Sequence, residues 1–133
     1  MTDPISEKNK RIAFVSNSAW SVYNFRLDVI RHLLGLGYAI TVITPGDGYS
    51  QRLKEEGCEF IAVDFDNKTE NPASDYFFYR RLRKLYRNIK PHFIFHYVAK
   101  PNIYGSLAAS AEGIPSVAVV TGLGYPFAKR NLL

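Results

Sequence analysis

The 133-residue sequence contains one cysteine, Cys58, one tryptophan and one methionine. A lone thiol excludes a disulfide within the chain and any metal site built from several thiolates, and it fits a reducing compartment. Cys58 itself reads as a small apolar residue opening a strand. No uncharged run reaches the ~20 residues needed to cross a bilayer. The first ten residues, MTDPISEKNK, form a polar tail without an apolar stretch of signal-peptide length. There is no internal repeat or low-complexity segment, and the one linker-like stretch is DFDNKTENPAS, from Asp64 to Ser74. Acidic residues are outnumbered, 12 against 17 basic ones, giving a net charge of +5 and a pI near 9.4. Such a balance suits an anionic partner: nucleic acid, an acidic lipid surface or a phosphorylated ligand.

Hydrophobic residues make up 47% of the chain and charged residues 22%, which argues against disorder and for one compact core. RIAFVSN, Arg11 to Asn17, reads as a first strand. From Val22, apolar residues recur at helical spacing (Val22, Phe25, Val29, Leu33, Leu36), and Gly37 stands where a left-handed cap closes the helix. YAITVIT makes a second strand, ended by Pro45-Gly46. A short helix follows over 50–56, with Ser50 as N-cap and Gly57 as stop. Cys58 to Phe65 is a third strand. Over 75–89, Phe78, Leu82, Leu85 and Ile89 form one apolar stripe, with Arg80, Arg83, Lys84 and Arg87 on the other side. HFIFHYV, a helix over 101–113 begun by Pro101 and ended by Gly113, and PSVAVVT complete the pattern, and Val117 to Thr121 reads as a buried strand. Five strands alternating with four helices, the later strands near-continuously apolar, predict a doubly wound Rossmann-like α/β domain: a parallel sheet of about five strands with helices on both faces. Its functional crevice lies beyond the carboxyl ends of the strands.

The first such loop, NSAWSVYN, has no glycine where a dinucleotide-binding domain needs Gly-x-Gly-x-x-Gly. No acidic residue ends the second strand; Thr44 stands there and Asp47 follows three residues later. Nicotinamide and flavin dinucleotides are therefore disfavoured. Asn17, Ser18, Ser21 and Asn24 set amides and hydroxyls at a helix N-terminus, where an anion is favoured; the alternative is a capped helix start with Trp20 packed over it. The fourth loop places His96 at the strand end, Lys100 after it, and Asn102 and Tyr104 on the first turn of the helix. Lys100 reads as an anion clamp or as a solvated loop lysine. His96 reads as a cleft residue or as a core histidine, and with no second histidine or acid at ligand spacing no metal is expected. Gly105 and Ser106 let the helix sit close to the sheet. The fifth loop, TGLGYPF, combines Gly122 and Gly124 with the rings of Tyr125 and Phe127, which suit a sugar face or a tight turn. No Ser-His-Asp, Cys-His or paired-carboxylate set appears on these loops.

Tyr-Asn-Phe-Arg at 23–26, Lys-Pro-Asn-Ile-Tyr-Gly at 100–105 and Thr-Gly-Leu-Gly-Tyr at 121–125 occur together in a chain that, from Arg11 to Phe127, closely resembles the N-terminal domain of bacterial family 4 glycosyltransferases, in the branch that assembles capsule, O-antigen and related surface polysaccharides. The resemblance implies the N-terminal, acceptor-side half (11–127) of a retaining two-domain GT-B enzyme. Residues 128–133 would begin a continuation into a C-terminal partner half, which holds most of the nucleotide sugar. It implies a nucleotide-sugar donor, a polyprenyl-diphosphate-linked or saccharide acceptor, no metal or other cofactor, and a fragment with little activity alone. Carried over by position, the first loop with Asn17, Ser18 and Trp20 faces the donor diphosphate, and Asn24, His96, Lys100, Asn102, Tyr104, Thr121, Gly122, Gly124 and Tyr125 belong to the donor and acceptor cleft. The sequence departs from the family in lacking a Gly-Gly pair in the first loop and a histidine after the fifth strand. Arg80, Arg83, Lys84 and Arg87 with Tyr76 read as a face that lies on anionic lipid at the inner side of the cytoplasmic membrane, or as a solvated outer face. Nucleic acid is not expected, because the aromatics are not interleaved with basic residues on exposed strands. The competing reading is a self-standing flavodoxin-like or nucleotide-binding regulatory module without catalysis.

Overall fold

A computed structural model of the chain describes residues 10–64 and 71–120. Five strands, β1 (Arg11–Val15), β2 (Ala39–Thr44), β3 (Glu59–Ala62), β4 (Phe93–Tyr97) and β5 (Ser116–Val119), form one sheet in the order β3-β2-β1-β4-β5. Every pairing is parallel. Helices α1 (Ala19–Gly35), α2 (Ser50–Glu55) and α3 (Pro72–Ile89) connect the first four strands. A π-helical turn, Pro101–Gly105, runs into α4 (Ser106–Ala111) before β5. This is the expected doubly wound Rossmann-like arrangement. The order reverses between β1 and β4, so the crevice opens at their carboxyl ends.

Strand residues alternate between two cores. Ile12 and Phe14 of β1 pack with Ile40, Val42 and Tyr97 under α1 and α2. Ala13 and Val15 pack with Ile43 and Ile94 under Phe78, Leu82 and Tyr86 of α3 and Ala108 and Ala109 of α4. Each helix end has a local cause. Ser18 caps α1, its Oγ accepting from the Ser21 N–H at 3.1 Å. Asn71 caps α3, accepting from the Ala73 and Ser74 amides, and Gly37 follows α1 with φ +97°, a conformation glycine adopts without a Cβ clash.

Several expectations need correction. The α1 stripe is displaced: Ala19, Val22 and Ile30 are buried, whereas Phe25, Val29 and Leu36 are 64%, 48% and 60% exposed. The reason is lateral. α1 packs over β1 and β2, so its flank toward β4 and β5 overhangs a sheet face that no described helix covers. The β5 strand was expected to be buried, yet Val117 and Val120 are exposed, because β5 is an edge strand among the described residues. Ser50 does not cap α2; Tyr49 occupies that position without a side-chain bond, and Ser50 Oγ instead accepts from the Asp47 N–H at 3.1 Å. The α3 stripe agrees, with Phe78 and Leu82 buried and Leu85 and Ile89 partly so, but Tyr86 joins it as a fully buried member. Residues 1–9 of the polar tail, the end of the third strand at Phe65 and the loop residues Thr121, Gly122, Gly124 and Tyr125 lie outside the described residues.

Candidate functional site

At the carboxyl ends of β1 and β4, on the face that carries α1, a cleft of about 740 Å³ is lined by Ser16, Asn17 and Ser21 on one side, Tyr97, Val98 and Val119 beneath, and Phe25 and Arg26 at its wall. Local sequence builds it. Polar Ser16 and Asn17 leave β1, Ser18 starts α1, and about two turns later Phe25 and Arg26 look back over the opening. The serine cluster is closed on itself: Ser16 Oγ and Ser21 Oγ are 3.2 Å apart, Ser18 Oγ donates to Ser21 Oγ at 3.0 Å, and Ser21 Oγ donates to the Ser18 carbonyl at 2.9 Å. Asn17 Oδ1 receives only long contacts, 3.4 Å from Ser16 and 3.5 Å from Ser21.

The N-terminus of α1, expected to receive an anion, already holds one. The Trp20 N–H donates to Asp47 Oδ2 at 3.0 Å, and Asp47 Oδ1 accepts from the Tyr49 N–H at 2.8 Å. A carboxylate from the loop after β2 therefore satisfies the helix end where a phosphate was anticipated. The Trp20 ring stands edge-on to Phe25, centroids 5.5 Å apart, and is half exposed. Asn24 is exposed and folds back along its own helix, Nδ2 donating to the Trp20 carbonyl at 2.8 Å. Neither Trp20 nor Asn24 lines the cleft.

The β4 loop residues divide by strand alternation. Tyr97 faces the cleft, and its neighbour His96 faces the opposite core. His96 is fully buried, its Nε2 2.8 Å from the Tyr86 hydroxyl. Its Nδ1 lies against the Val117 backbone without an aligned hydrogen-bond partner. Burial lowers its pKa to about 4 and raises that of Tyr86, so the pair is neutral. Of the two readings of His96, the core histidine is the one the structure holds, and the cleft assignment is corrected. Gly105 is required for this packing: a Cβ there would stand 2.3 Å from His96 Cδ2.

Lys100 and Tyr104 also turn away from the cleft. Lys100 Nζ pairs with Asp75 Oδ1 at 2.8 Å, and the Tyr104 hydroxyl donates to Asp75 Oδ2 at 3.0 Å. The lysine bond first, then that of Tyr104, hold the Asp75 carboxyl below its usual range. The anion clamp expected of Lys100 is thus closed on a carboxylate of α3, which ties the β4 loop to the start of that helix. Asn102 locks the loop to β5 through Nδ2 to the Val119 carbonyl at 3.1 Å, leaving Oδ1 buried without a hydrogen-bond partner. Just ahead of these anchors Val98 sits at φ +63°. A β-branched residue there is strained, typically by about 1–3 kcal/mol, and it forms part of the cleft floor.

Two residues that bear on the cleft were not singled out from sequence. Arg26 is the one charged residue among the lining residues, its guanidinium carbon 4.3 Å from the Tyr97 ring centre. Asp47 was noted only for standing too late to serve a ribose. Arg26 had a visible signal, a cation in a helix segment flanked by apolar residues, whereas the capping role of Asp47 depends on a contact 27 residues away.

On the opposite side of the molecule Tyr76, Arg80, Arg83, Lys84 and Arg87 do share one surface, a groove of about 780 Å³ along α3. Arg83 Nε and Arg87 Nη2 each reach Glu112 Oε2 at 2.9 Å, and Arg87 Nε reaches Oε1 at 3.1 Å. Led by Arg87, these bonds hold the Glu112 carboxyl down near pKa 2. Two of the four expected basic residues are therefore engaged within the protein. Among the described residues no group of three or more His, Cys, Asp or Glu side chains is placed to hold a metal ion, and no helix is long and apolar enough to cross a membrane.

Comparison with known proteins gives three kinds of similarity. The model of the glycosyl transferase 4-like family matches residues 11–133. N,N'-diacetylbacillosaminyl-diphospho-undecaprenol alpha-1,3-N-acetylgalactosaminyltransferase of Campylobacter jejuni subsp. jejuni serotype O:2 is 37% identical over 117 residues, covering 86% of this chain and 31% of that protein. The chain thus spans about a third of that relative's length. In fold, a glycosyltransferase from Rickettsia africae superposes with a TM-score of 0.70 at 17% identity, over 92% of this chain and 33% of that one. Acinetobacter baumannii MurG superposes with a TM-score of 0.69 at 15% identity, over 92% and 39%.

Proposed function

Because the chain belongs to the glycosyl transferase 4-like family, we propose that it forms the acceptor-side wall of a retaining glycosyltransferase. The enzyme moves a sugar from a nucleotide sugar to a lipid-linked or saccharide acceptor in the assembly of bacterial surface polysaccharide, capsule or lipopolysaccharide. The observation that carries this reading is the 37% identity, across most of the chain, to a transferase whose acceptor is a sugar on undecaprenyl diphosphate. The cleft at the β1/β4 reversal supports it, since open α/β sheets bind ligands there. The regulatory-module alternative has no comparable observation in its favour. The reaction needs both walls: transition-state stabilisation comes from donors fixed around a closed, water-poor site, and one wall supplies only part of them.

The experiment is a transfer assay on a fusion of residues 11–133 to the remaining two thirds of the Campylobacter relative, with a panel of nucleotide sugars and a short-chain polyprenyl-diphosphate-linked sugar. The fusion transfers sugar, the 133-residue chain alone does not, and chelation of divalent cations leaves the rate unchanged. A fusion that is folded and binds donor but transfers sugar to neither a lipid-linked acceptor nor a free saccharide overturns the reading.

The α3 surface serves a peripheral position on the cytoplasmic face of the membrane. Tyr76 and Phe77 are 54% and 70% exposed, and Arg80, Arg81 and Lys84 border the α3 groove together with Tyr76. Each basic residue near anionic lipid contributes about 1 kcal/mol. Changing Arg80, Arg81 and Lys84 to glutamine therefore weakens binding to phosphatidylserine-containing vesicles by roughly 100-fold; equal binding refutes it. Arg83 and Arg87 are left intact in this variant because their loss would free Glu112.

A further inference from the structure

We infer that Arg26 is the residue of this chain that grips the diphosphate of a substrate in the β1/β4 cleft. The inference rests on the glycosyltransferase reading for the identity of the ligand, and on the following geometry for the residue. The site usually used for phosphate in a doubly wound fold, the N-terminus of the first helix, is taken here: Asp47 occupies the Trp20 amide and Ser18 the Ser21 amide. Lys100, the other nearby cation, is paired with Asp75 on the far face. Arg26 differs from both. It lines the cleft, it is half-buried, and among the described residues its recorded contact is the Tyr97 ring rather than any carboxylate.

The stacking does more than fill space. Tyr97 is nearly buried and lies almost parallel to Phe14, with ring centroids 6.2 Å apart and an interplanar angle of 9°. The guanidinium therefore rests on a fixed plane, and its N–H fork stays available in one orientation. A planar fork held by an aromatic face binds phosphoryl oxygens in pairs, which a flexible ammonium does not reproduce. Beside it, exposed Phe25 and, one turn on, exposed Val29 give an apolar margin. Diphosphates of two origins, a nucleotide and a prenyl carrier, share the recognised group; the apolar margin suits the prenyl stem.

The test is calorimetric titration of the 133-residue chain with inorganic pyrophosphate, uridine diphosphate and farnesyl diphosphate, for the parent, Arg26→Gln, Arg26→Lys and Arg52→Gln. Arg52 is the control, an arginine stacked on Tyr49 at 4.8 Å but outside the cleft. Arg26→Gln weakens binding of all three ligands at least tenfold without lowering the melting temperature, Arg26→Lys recovers only part of the loss, and Arg52→Gln binds as the parent does. Farnesyl diphosphate binding tighter than uridine diphosphate supports the proposal with a prenyl carrier as ligand, and the reverse order supports it with a nucleotide. Equal binding by parent and Arg26→Gln, or no diphosphate binding by the parent, overturns it while leaving the transfer assay above to stand or fall separately. Arg26-dependent binding without sugar transfer by the fusion refutes the glycosyltransferase reading and not this one.

Discussion

Replacing Gly105 by alanine inverts the usual sign of a Gly→Ala change in a helix. Alanine is ordinarily the better helix former by about 1 kcal/mol. Here the added Cβ would lie 2.3 Å from Cδ2 and 2.5 Å from Nε2 of His96. His96 has no room to yield, being fully buried and bonded to the equally buried Tyr86. Overpacking of this kind costs about 1–3 kcal/mol. If the imidazole moves instead, the Tyr86 hydroxyl and His96 Nε2 are left buried without partners, at a further cost of about 1–3 kcal/mol. Set against the helix gain of about 1 kcal/mol, these costs together leave a net loss of about 1–5 kcal/mol, on the order of 10 °C in melting temperature at the middle of that range for a chain of this size. Urea unfolding followed by far-UV circular dichroism measures it. The same substitution in a His96→Ala background costs at least about 1 kcal/mol less, because the clash has gone. A Gly105→Ala variant as stable as the parent, or more stable, refutes the claim that this glycine exists to admit the imidazole.

Burial holds the His96 pKa near 4, against about 6.5 when unfolded. The unfolded chain therefore takes up a proton first as pH falls; this part of the stability is complete above pH 6.5 and is lost toward pH 4, by on the order of 3 kcal/mol. Urea midpoints at pH 7 and pH 4.5 reveal the drop, which shrinks in His96→Gln; an equal drop in both proteins contradicts it. Val98→Gly removes the positive-φ strain, offsetting the glycine's greater unfolded-state entropy, and leaves stability within about 1 kcal/mol of the parent. A loss well beyond 2 kcal/mol shows that the valine side chain matters more than its backbone. The Glu112 carboxyl, followed by NMR, titrates near 2 in the parent and moves toward 4.5 in Arg87→Gln; no movement removes Arg87 as the main cause.

Sequence revealed the sheet better than it revealed the site. All five strands and four helices were legible, because β-branched and aromatic runs bounded by turn residues identify strands and Pro and Gly mark helix ends. The close approach permitted by Gly105 was visible as a small residue on the first turns of a helix. The α1 stripe misled because Phe25, Val29 and Leu36 do follow helical spacing, yet periodicity does not say which flank the sheet covers. A cleft does lie at the reversal in strand order, but of its expected residues His96, Lys100 and Tyr104 face away from it and Trp20 and Asn24 do not line it. Alternation puts His96 and Tyr97 on opposite faces of β4, but the run is apolar almost throughout, so its pattern did not say which face meets the crevice. What remained hidden were the long-range partners, Tyr86 for His96, Asp75 for Lys100 and Asp47 for the α1 amides, since nothing local encodes a contact made across the sheet or between separate loops.

The central claim is that substrate diphosphate is received on the α1 side of the β1/β4 reversal, and amide chemical-shift mapping of the chain titrated with farnesyl diphosphate tests it most directly. The account predicts perturbations concentrated at Ser16, Asn17, Arg26, Tyr97 and Val98, with the amides around Glu112 and Lys84 unmoved. Shifts centred on the α3 groove, with the Ser16 to Arg26 segment silent, contradict it.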